Sequence, residues 1–99
     1  MSVYVGEMFA CLPNKNWRYN QAAHLFADNL DELHLLASKI GLKRSWFQPH
    51  AIVPHYDLTT SKRTQALAAG AIAVDLRSEG RYIQQCRPNK LRKEPQYES

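Results

Sequence analysis

The sequence predicts a small single-domain α/β protein, in which two helices pack on a short sheet in the order β-β-α-loop-α-β. Its 99 residues are enough for one domain with a modest core. Two segments carry helix start and stop signals, and three segments are rich in residues that favour strands. Residues 1–75 are predicted to form this compact domain, and residues 76–99 a basic, largely flexible C-terminal tail.

Three segments are predicted to form the sheet. Residues 2–6 contain Val-Tyr-Val and are bounded by a glycine, which is typical of a short strand. Residues 22–27 are predicted to form a second strand with His24 and Phe26 on one face and Leu25 on the other, and a helical turn is the alternative. Residues 71–75 are apolar and β-branched, as expected for an interior strand.

The first helix is predicted from the capping signal Asn29 and Glu32, three residues apart. It runs over residues 30–40 and ends at Gly41, because glycine readily adopts the left-handed conformation that terminates a helix. The second helix follows Thr59 or Thr60, either of which can cap it, and ends at Gly70.

Two aromatic segments connect these elements. Residues 7–19 are predicted to form a loop in which Trp17 either folds over a site or packs as an anchor in the core. Residues 42–48 contain Arg44 and Trp46. Either Arg44 contacts a phosphate while Trp46 stacks on a base, or the cations lie on the surface while the aromatic residues pack in the core.

The chemistry is concentrated in residues 54–63, PHYDLTTSKR, directly before the second helix. Free backbone N–H groups at a helix start attract anions, and hydroxyl and cationic side chains reinforce that attraction. The alternative is a local salt-bridge network, with Asp57 compensating the cations. In the first interpretation a phosphorylated ligand would be bound by His55, Tyr56, Thr60, Ser61, Lys62 and Arg63, with Arg44, Trp46 and Trp17 completing the site.

The formal charge of +4 is concentrated at the C-terminus. Residues 1–75 contain seven Lys/Arg against six Asp/Glu, whereas residues 76–99 contain six against three. The tail therefore offers a contact to nucleic acid, or serves solubility. No apolar run suggests a membrane span or signal peptide, and Cys11 and Cys86 are too far apart for a zinc knuckle, so a cytoplasmic protein with reduced thiols is expected.

Several motifs together resemble a family of small bacterial and phage proteins that is known only as a domain of unknown function. The resemblance covers residues 3–75 and rests on Val3-Tyr-Val, His24-Leu with Asp28, Glu32-Leu-His34, residues 41–48, Pro54-His-Tyr-Asp-Leu58, Ser61-Lys-Arg63 and Gly70-Ala71. The resemblance implies no particular activity. It implies a location in the cytoplasm of a bacterial cell or of a host infected by a phage. Members of the family carry an acid directly after Val-Tyr-Val, where this chain has Gly6. If that acid binds a metal or acts as a base, this chain has lost that chemistry and kept the pocket.

Three functions remain open at this level. The favoured one is binding, or sequestration, of a small phosphorylated ligand such as a nucleotide signal, by a homo-oligomer (a dimer or higher) without a cofactor. The second is a metal-independent phosphoesterase or nuclease, with His55 and either His24 or His34 as acid and base. In this hypothesis Lys62 or Arg63 stabilises the charge that develops at phosphorus. The third is an inhibitor that binds another protein. No metal site is expected, because the histidines and aspartates show no recognised ligand spacing.

Overall fold

The predicted α/β class is confirmed by the computed structural model, which describes residues 2–15 and 17–86. These residues form five strands, three α-helices and one 3₁₀ turn at Arg44–Trp46. The strands are β1 (Val3–Val5), β2 (Phe9–Ala10), β3 (Gln21–Ala27), β4 (Tyr56–Leu58) and β5 (Ile72–Ala73). The helices are α1 (Leu30–Lys39), α2 (Thr60–Ala68) and α3 (Leu76–Cys86).

The longest strand, β3, is the centre of the sheet. It pairs antiparallel with β1, β2 and β4, and β5 adds to β1 in parallel. β2 lies within the segment that the sequence predicts as a loop, and β4 covers the Tyr-Asp-Leu of the predicted site. The short strands β2 and β4 were missed because they depend on pairing with β3, which propensity does not reveal.

One face of the sheet carries the main core. Alternation along the strands directs Val5, Leu25 and Leu58 to this face, and all three are fully buried. Helices α1 and α2 cover them with Leu33, Ala37 and Ala66. The alternate residues of the same strands, including His24, lie on the opposite face of the sheet.

The opposite face is covered by α3 through an aromatic cluster. The ring of Tyr82 lies 5.7 Å from that of Tyr4 and 4.9 Å from that of Phe26, centroid to centroid. The hydroxyls of Tyr82 and Tyr4 both donate to the carboxylate of Asp28, at 2.8 and 3.0 Å. The α3 helix is therefore part of the domain.

This packing corrects the domain boundary that the sequence predicts at residue 75. Residues Leu76–Cys86 form α3 and not a flexible tail, and Asp75 accepts a 2.7 Å hydrogen bond from the backbone N–H of Ser78 at its start. The basic composition of this segment concealed the helix, because its apolar contacts are made by a few side chains only. Residues 87–99, the rest of the predicted tail, lie outside the described residues.

The caps of α1 and α2 agree with the sequence. Asn29 accepts from the N–H of Glu32 at 3.2 Å, and Thr59 accepts from the N–H of Lys62 at 3.2 Å. The glycines after the two helices, Gly41 and Gly70, have positive φ angles of 83° and 109°. Among the helices of the described residues, none is both long and apolar enough to cross a bilayer.

Replacing the α2 cap by Thr59→Ala is expected to lower the free energy of unfolding by about 1 kcal/mol, because the N–H of Lys62 loses its acceptor. Urea denaturation measures the change. Thr60→Ala is the matched control, since this exposed hydroxyl makes no cap bond, and it should stay within about 0.5 kcal/mol of the parent. Equal losses in the two variants would contradict the assignment of the cap.

Candidate functional site

Two histidines and an aspartate meet on the face of the sheet that carries α3. His24 on β3 lies directly opposite Asp57 on β4 in the strand register, and His55 comes two residues before Asp57. Oδ1 of Asp57 is 3.7 Å from Nε2 of His24 and 3.5 Å from Nε2 of His55. The imidazole centroids are 4.3 Å apart. We call His24, His55 and Asp57 the His–Asp cluster.

Each member of the cluster is held by a second partner. Nδ1 of His24 donates to the Glu79 carboxylate at 2.6 Å, and Nδ1 of His55 donates to the carbonyl of Val53 at 2.8 Å. The side-chain amide of Gln48 donates to Oδ2 of Asp57 at 2.5 Å. A carbonyl and a carboxylate only accept hydrogen bonds, so these contacts place the protons of both neutral rings on Nδ1. Both Nε2 lone pairs then face Asp57.

The charges of the cluster reinforce one another. Burial lowers the pKa of His55, but the carboxylate of Asp57 and the carbonyl of Val53 outweigh it, and the pKa is raised overall. Burial likewise raises the pKa of Asp57, but the contacts with His55 and Gln48 outweigh it and bring the pKa below its usual value. The geometry therefore favours a negative carboxylate with positive charge beside it.

The side chain of Glu79 extends from α3, packs against Gly6 and contacts His24 of the cluster. Glu79 is only 7% exposed, and Oε1 has no hydrogen-bond partner among the described residues. This oxygen overlaps the position of a Cβ on Gly6, so a side chain at position 6 would force the buried carboxylate to move. The backbone N–H of Gly6 donates to the carbonyl of His24 at 2.9 Å, which fixes this close approach.

Gly6→Ala is therefore expected to destabilise the fold by about 1–3 kcal/mol, the usual cost of overpacking a buried contact. Its matched control is Gly80→Ala on α3, where a Cβ meets nothing within 4 Å and should stabilise the helix by about 1 kcal/mol. Chemical denaturation of both variants measures the difference. Changes of the same sign at the two positions would argue against the close packing of Glu79 on Gly6.

A polar cavity opens beside the cluster. It has a volume of about 220 Å³, and His24, His55 and Asp57 line it together with Phe9, Trp17 and Gln48. Trp17 therefore lies at this cavity, and its indole N–H donates to the carbonyl of Gln21 at 3.1 Å. A smaller, apolar cavity of about 170 Å³ lies on the other side of the histidines and includes Phe26, Ile52 and Ile83.

The residues predicted for a phosphate site at the start of α2 are engaged elsewhere. Nζ of Lys62 donates to the carbonyl of Ile40 at 2.5 Å, and Nε of Arg63 donates to the carbonyl of Gly6 at 2.8 Å. The hydroxyl of Ser61 accepts from Gln65 at 3.3 Å, and Thr60 is exposed in the first turn. Lys62, Arg63 and Ser61 thus each make a contact within the fold.

The remaining predicted residues lie away from the cluster. Tyr56 is buried in the main core, and its hydroxyl lies 2.8 Å from Nδ1 of His34. Trp46 is half-exposed with Nζ of Lys43 over its ring, and the guanidinium of Arg44 lies over the ring of Phe47. Of the predicted binding residues, the structure thus brings His55 and Trp17 together with His24 at one cavity.

Sequence reasoning missed the importance of Asp57, Gln48 and Glu79. The position of Asp57 beside His55 could have been predicted. Residues two apart on a strand share a face, so these two side chains point the same way once β4 is recognised. Gln48 is brought near by a single bridge to His55 at the edge of the sheet. Glu79 had no local signal, since its role depends on the packing of α3 on a distant strand.

The fold and the cluster define a small mixed α/β domain with a histidine–carboxylate centre on one face of its sheet. The chain belongs to a family of proteins of unknown function, DUF4031, whose sequence model matches residues 3–86, from β1 to the end of α3. The resemblance to an uncharacterised family is thereby confirmed. No curated protein and no solved structure matches the chain.

Proposed function

We propose that this protein is a phosphoesterase or nuclease, whose active centre is the His–Asp cluster. The observation that supports the proposal is the convergence of Nε2 of His24 and Nε2 of His55 on Oδ1 of Asp57, at 3.7 and 3.5 Å. Both rings are oriented from behind by Glu79 and Val53, as acid and base groups in enzymes are. A purely structural pair has no need of this alignment beside an open cavity.

Hydrolysis of a phosphoester suits two neighbouring imidazoles. A water oxygen bonds to phosphorus, the bond from phosphorus to the ester oxygen breaks, and one proton moves from the water to the leaving oxygen. One ring can accept the proton from water while the other donates one to the leaving group. A protonated ring also stabilises the negative charge that develops on the phosphoryl oxygens.

The lining of the polar cavity supports a nucleotide as the substrate class. Phe9 and Trp17 offer aromatic surfaces for stacking a base, and the Gln48 amide can donate and accept hydrogen bonds. Its volume of about 220 Å³ is below the roughly 300–1,000 Å³ typical of sites that enclose a drug-sized ligand. The size favours a mononucleotide, or the end of a longer strand that remains largely outside.

Phosphate binding at the start of α2 is less well supported than catalysis at the cluster. The two cations of that turn, Lys62 and Arg63, already donate to backbone carbonyls. A ligand there would have to use the remaining donors of these two groups, whose positions are already set by the bonds to the carbonyls. For this reason the catalytic hypothesis replaces the sequestering binder as the favoured function.

The test is a turnover screen with the purified protein. Aryl phosphate mono- and diesters, nucleoside mono-, di- and triphosphates, cyclic nucleotides and short single-stranded oligonucleotides would be incubated with and without added divalent metal ions. Mass spectrometry of the products reports cleavage, and a thermal-shift measurement on the same samples reports binding. We expect a cleaved phosphoester from at least one class. Stabilisation with an intact ligand would support the binder instead, and no response to any compound would favour the protein-partner hypothesis.

We further propose a homo-oligomer in the cytoplasm. Leu12 lines the polar cavity and is 87% exposed, so a second copy packed there would cover an apolar side chain and narrow the opening. Analytical ultracentrifugation tests this, and a monomer at micromolar concentration would contradict it.

A further inference from the structure

We infer that the His–Asp cluster binds a divalent transition-metal ion, with zinc as the best match, through Nε2 of His24, Nε2 of His55 and Oδ1 of Asp57. These three side chains form a group that could hold an ion, with their ligand atoms all within 4.8 Å of one another. The expectation of no metal site came from spacing along the chain. Spacing does not reveal this group, because its members come from two paired strands.

The arrangement of lone pairs is the first argument. Because Nδ1 of each ring donates to Glu79 or to the carbonyl of Val53, the neutral rings present unprotonated Nε2 atoms. A carboxylate oxygen faces the same point. Three electron-rich atoms repel one another unless a proton on one of the rings or a metal cation compensates them, and a metal ion at that point satisfies all three together.

The distances are the second argument. The separations of 3.5 and 3.7 Å between the Nε2 atoms and Oδ1 are long for an N–H···O hydrogen bond, which prefers about 2.7–3.2 Å. Zinc binds nitrogen and oxygen at about 2.0–2.2 Å, and at tetrahedral angles this separates neighbouring ligand atoms by about 3.3–3.6 Å. Both separations between nitrogen and oxygen in the cluster are therefore close to those around a zinc ion.

The partners behind the ligands are the third argument. Histidines that bind a metal almost always donate their other N–H to a carboxylate or a backbone carbonyl, and ligating carboxylates are themselves hydrogen-bonded. All three features are present, with Glu79 behind His24, Val53 behind His55 and Gln48 behind Asp57. This makes Glu79 a positioning residue for the metal site.

The donor set points to a catalytic and not a purely structural ion. Three protein ligands of nitrogen and oxygen leave a position open, as in zinc hydrolases, and the polar cavity adjoins it. An ion there lowers the pKa of a bound water toward about 7 and polarises a phosphoryl oxygen. This catalytic role of the ion rests on the proposed function. When the ion is bound, the two imidazoles are its ligands and do not act as the acid and the base.

The test measures the ion itself. Tag-free protein would be stripped with a chelator, kept reduced because Cys11 and Cys86 are free thiols, and titrated with Zn²⁺ against a chromophoric chelator. Titration with Co²⁺ reports the ligands, because a site of low coordination number absorbs visible light more strongly than hydrated Co²⁺. We expect one ion per chain and a Co²⁺ spectrum without thiolate charge-transfer bands.

Variants locate the ion. His55→Ala and Asp57→Asn should each lower the affinity for Zn²⁺ by at least about 100-fold, and Glu79→Gln by about 10- to 100-fold. The matched control is His50→Ala, an exposed histidine outside the group, which should bind like the parent. Melting curves without metal establish that each variant is folded. Added Zn²⁺ should raise the melting temperature of the parent and of His50→Ala fully, that of Glu79→Gln less, and those of His55→Ala and Asp57→Asn not at all.

Two outcomes would overturn the inference. The first is no uptake of Zn²⁺ or Co²⁺ by the parent, and the second is uptake that folded His55→Ala and Asp57→Asn retain. Failure of the metal site remains distinguishable from failure of the phosphoesterase. Turnover that persists in the chelator without bound metal would support the phosphoesterase and contradict the metal site. Tight metal binding without turnover of any phosphoester would support the metal site and contradict the phosphoesterase.

Discussion

Replacing His55 by alanine is expected to lower phosphoester turnover by about 100- to 10,000-fold, the range that a positioned acid–base group contributes. The ring contacts Asp57 and lies 4.3 Å from the His24 ring, centroid to centroid, and its loss leaves one imidazole where the proposed mechanism uses two. Its removal also deprives a bound ion of a ligand, so the direction of the effect is the same with or without metal. Initial rates on the best substrate of the screen measure the loss.

The control for this prediction is His50→Ala, which changes a histidine of the same loop outside the cluster and should keep the parent rate. His55→Gln is a second variant that retains a polar side chain of similar volume, and it should lose activity while keeping the parent melting temperature within a few degrees. A folded His55 variant with the rate of the parent would exclude this residue from the active centre.

Leu25→Ala is expected to lower the free energy of unfolding by about 2–5 kcal/mol. Leu25 is fully buried at the centre of β3 and is paired with Val5 on one side and Tyr56 on the other. The cavity left by its side chain lies between the sheet and two helices, which limits how far the surroundings can collapse. Urea or guanidinium denaturation with a common slope measures the change.

Leu35→Ala on α1 is the matched control, because the same chemical change occurs at a side chain that is 61% exposed. It should alter stability by less than about 0.5 kcal/mol. A small effect at Leu25 and a large one at Leu35 would reverse the assignment of the core face.

The elements that local chemistry determines were predictable. The first helix begins at Asn29 and ends before Gly41 as expected, because a side-chain cap and a positive φ are properties of a few neighbouring residues. α3 was missed for the opposite reason. Its place depends on Tyr82 packing on Tyr4 and Phe26, and a basic segment gives little indication of such contacts.

The candidate site was predicted in its residue types but not in its geometry. His24 and His55 were paired as acid and base, yet only the register of β3 with β4 brings them together around Asp57. Conversely, Lys62 and Arg63 looked free to bind phosphate in the sequence. Their acceptors, the carbonyls of Ile40 and Gly6, lie 22 and 57 residues away along the chain, beyond what a local pattern can indicate.

The contact between His24 and Glu79 spans 55 residues of the chain, which has a consequence for protein synthesis. Both histidines leave the ribosome before Glu79, and at about 5–20 residues per second the interval after His55 is about one to five seconds. During that interval the imidazole of His24 lacks its orienting carboxylate. The cluster is completed only when α3 folds onto the sheet, so a nascent or prematurely released chain carries His24 without the carboxylate that orients its ring.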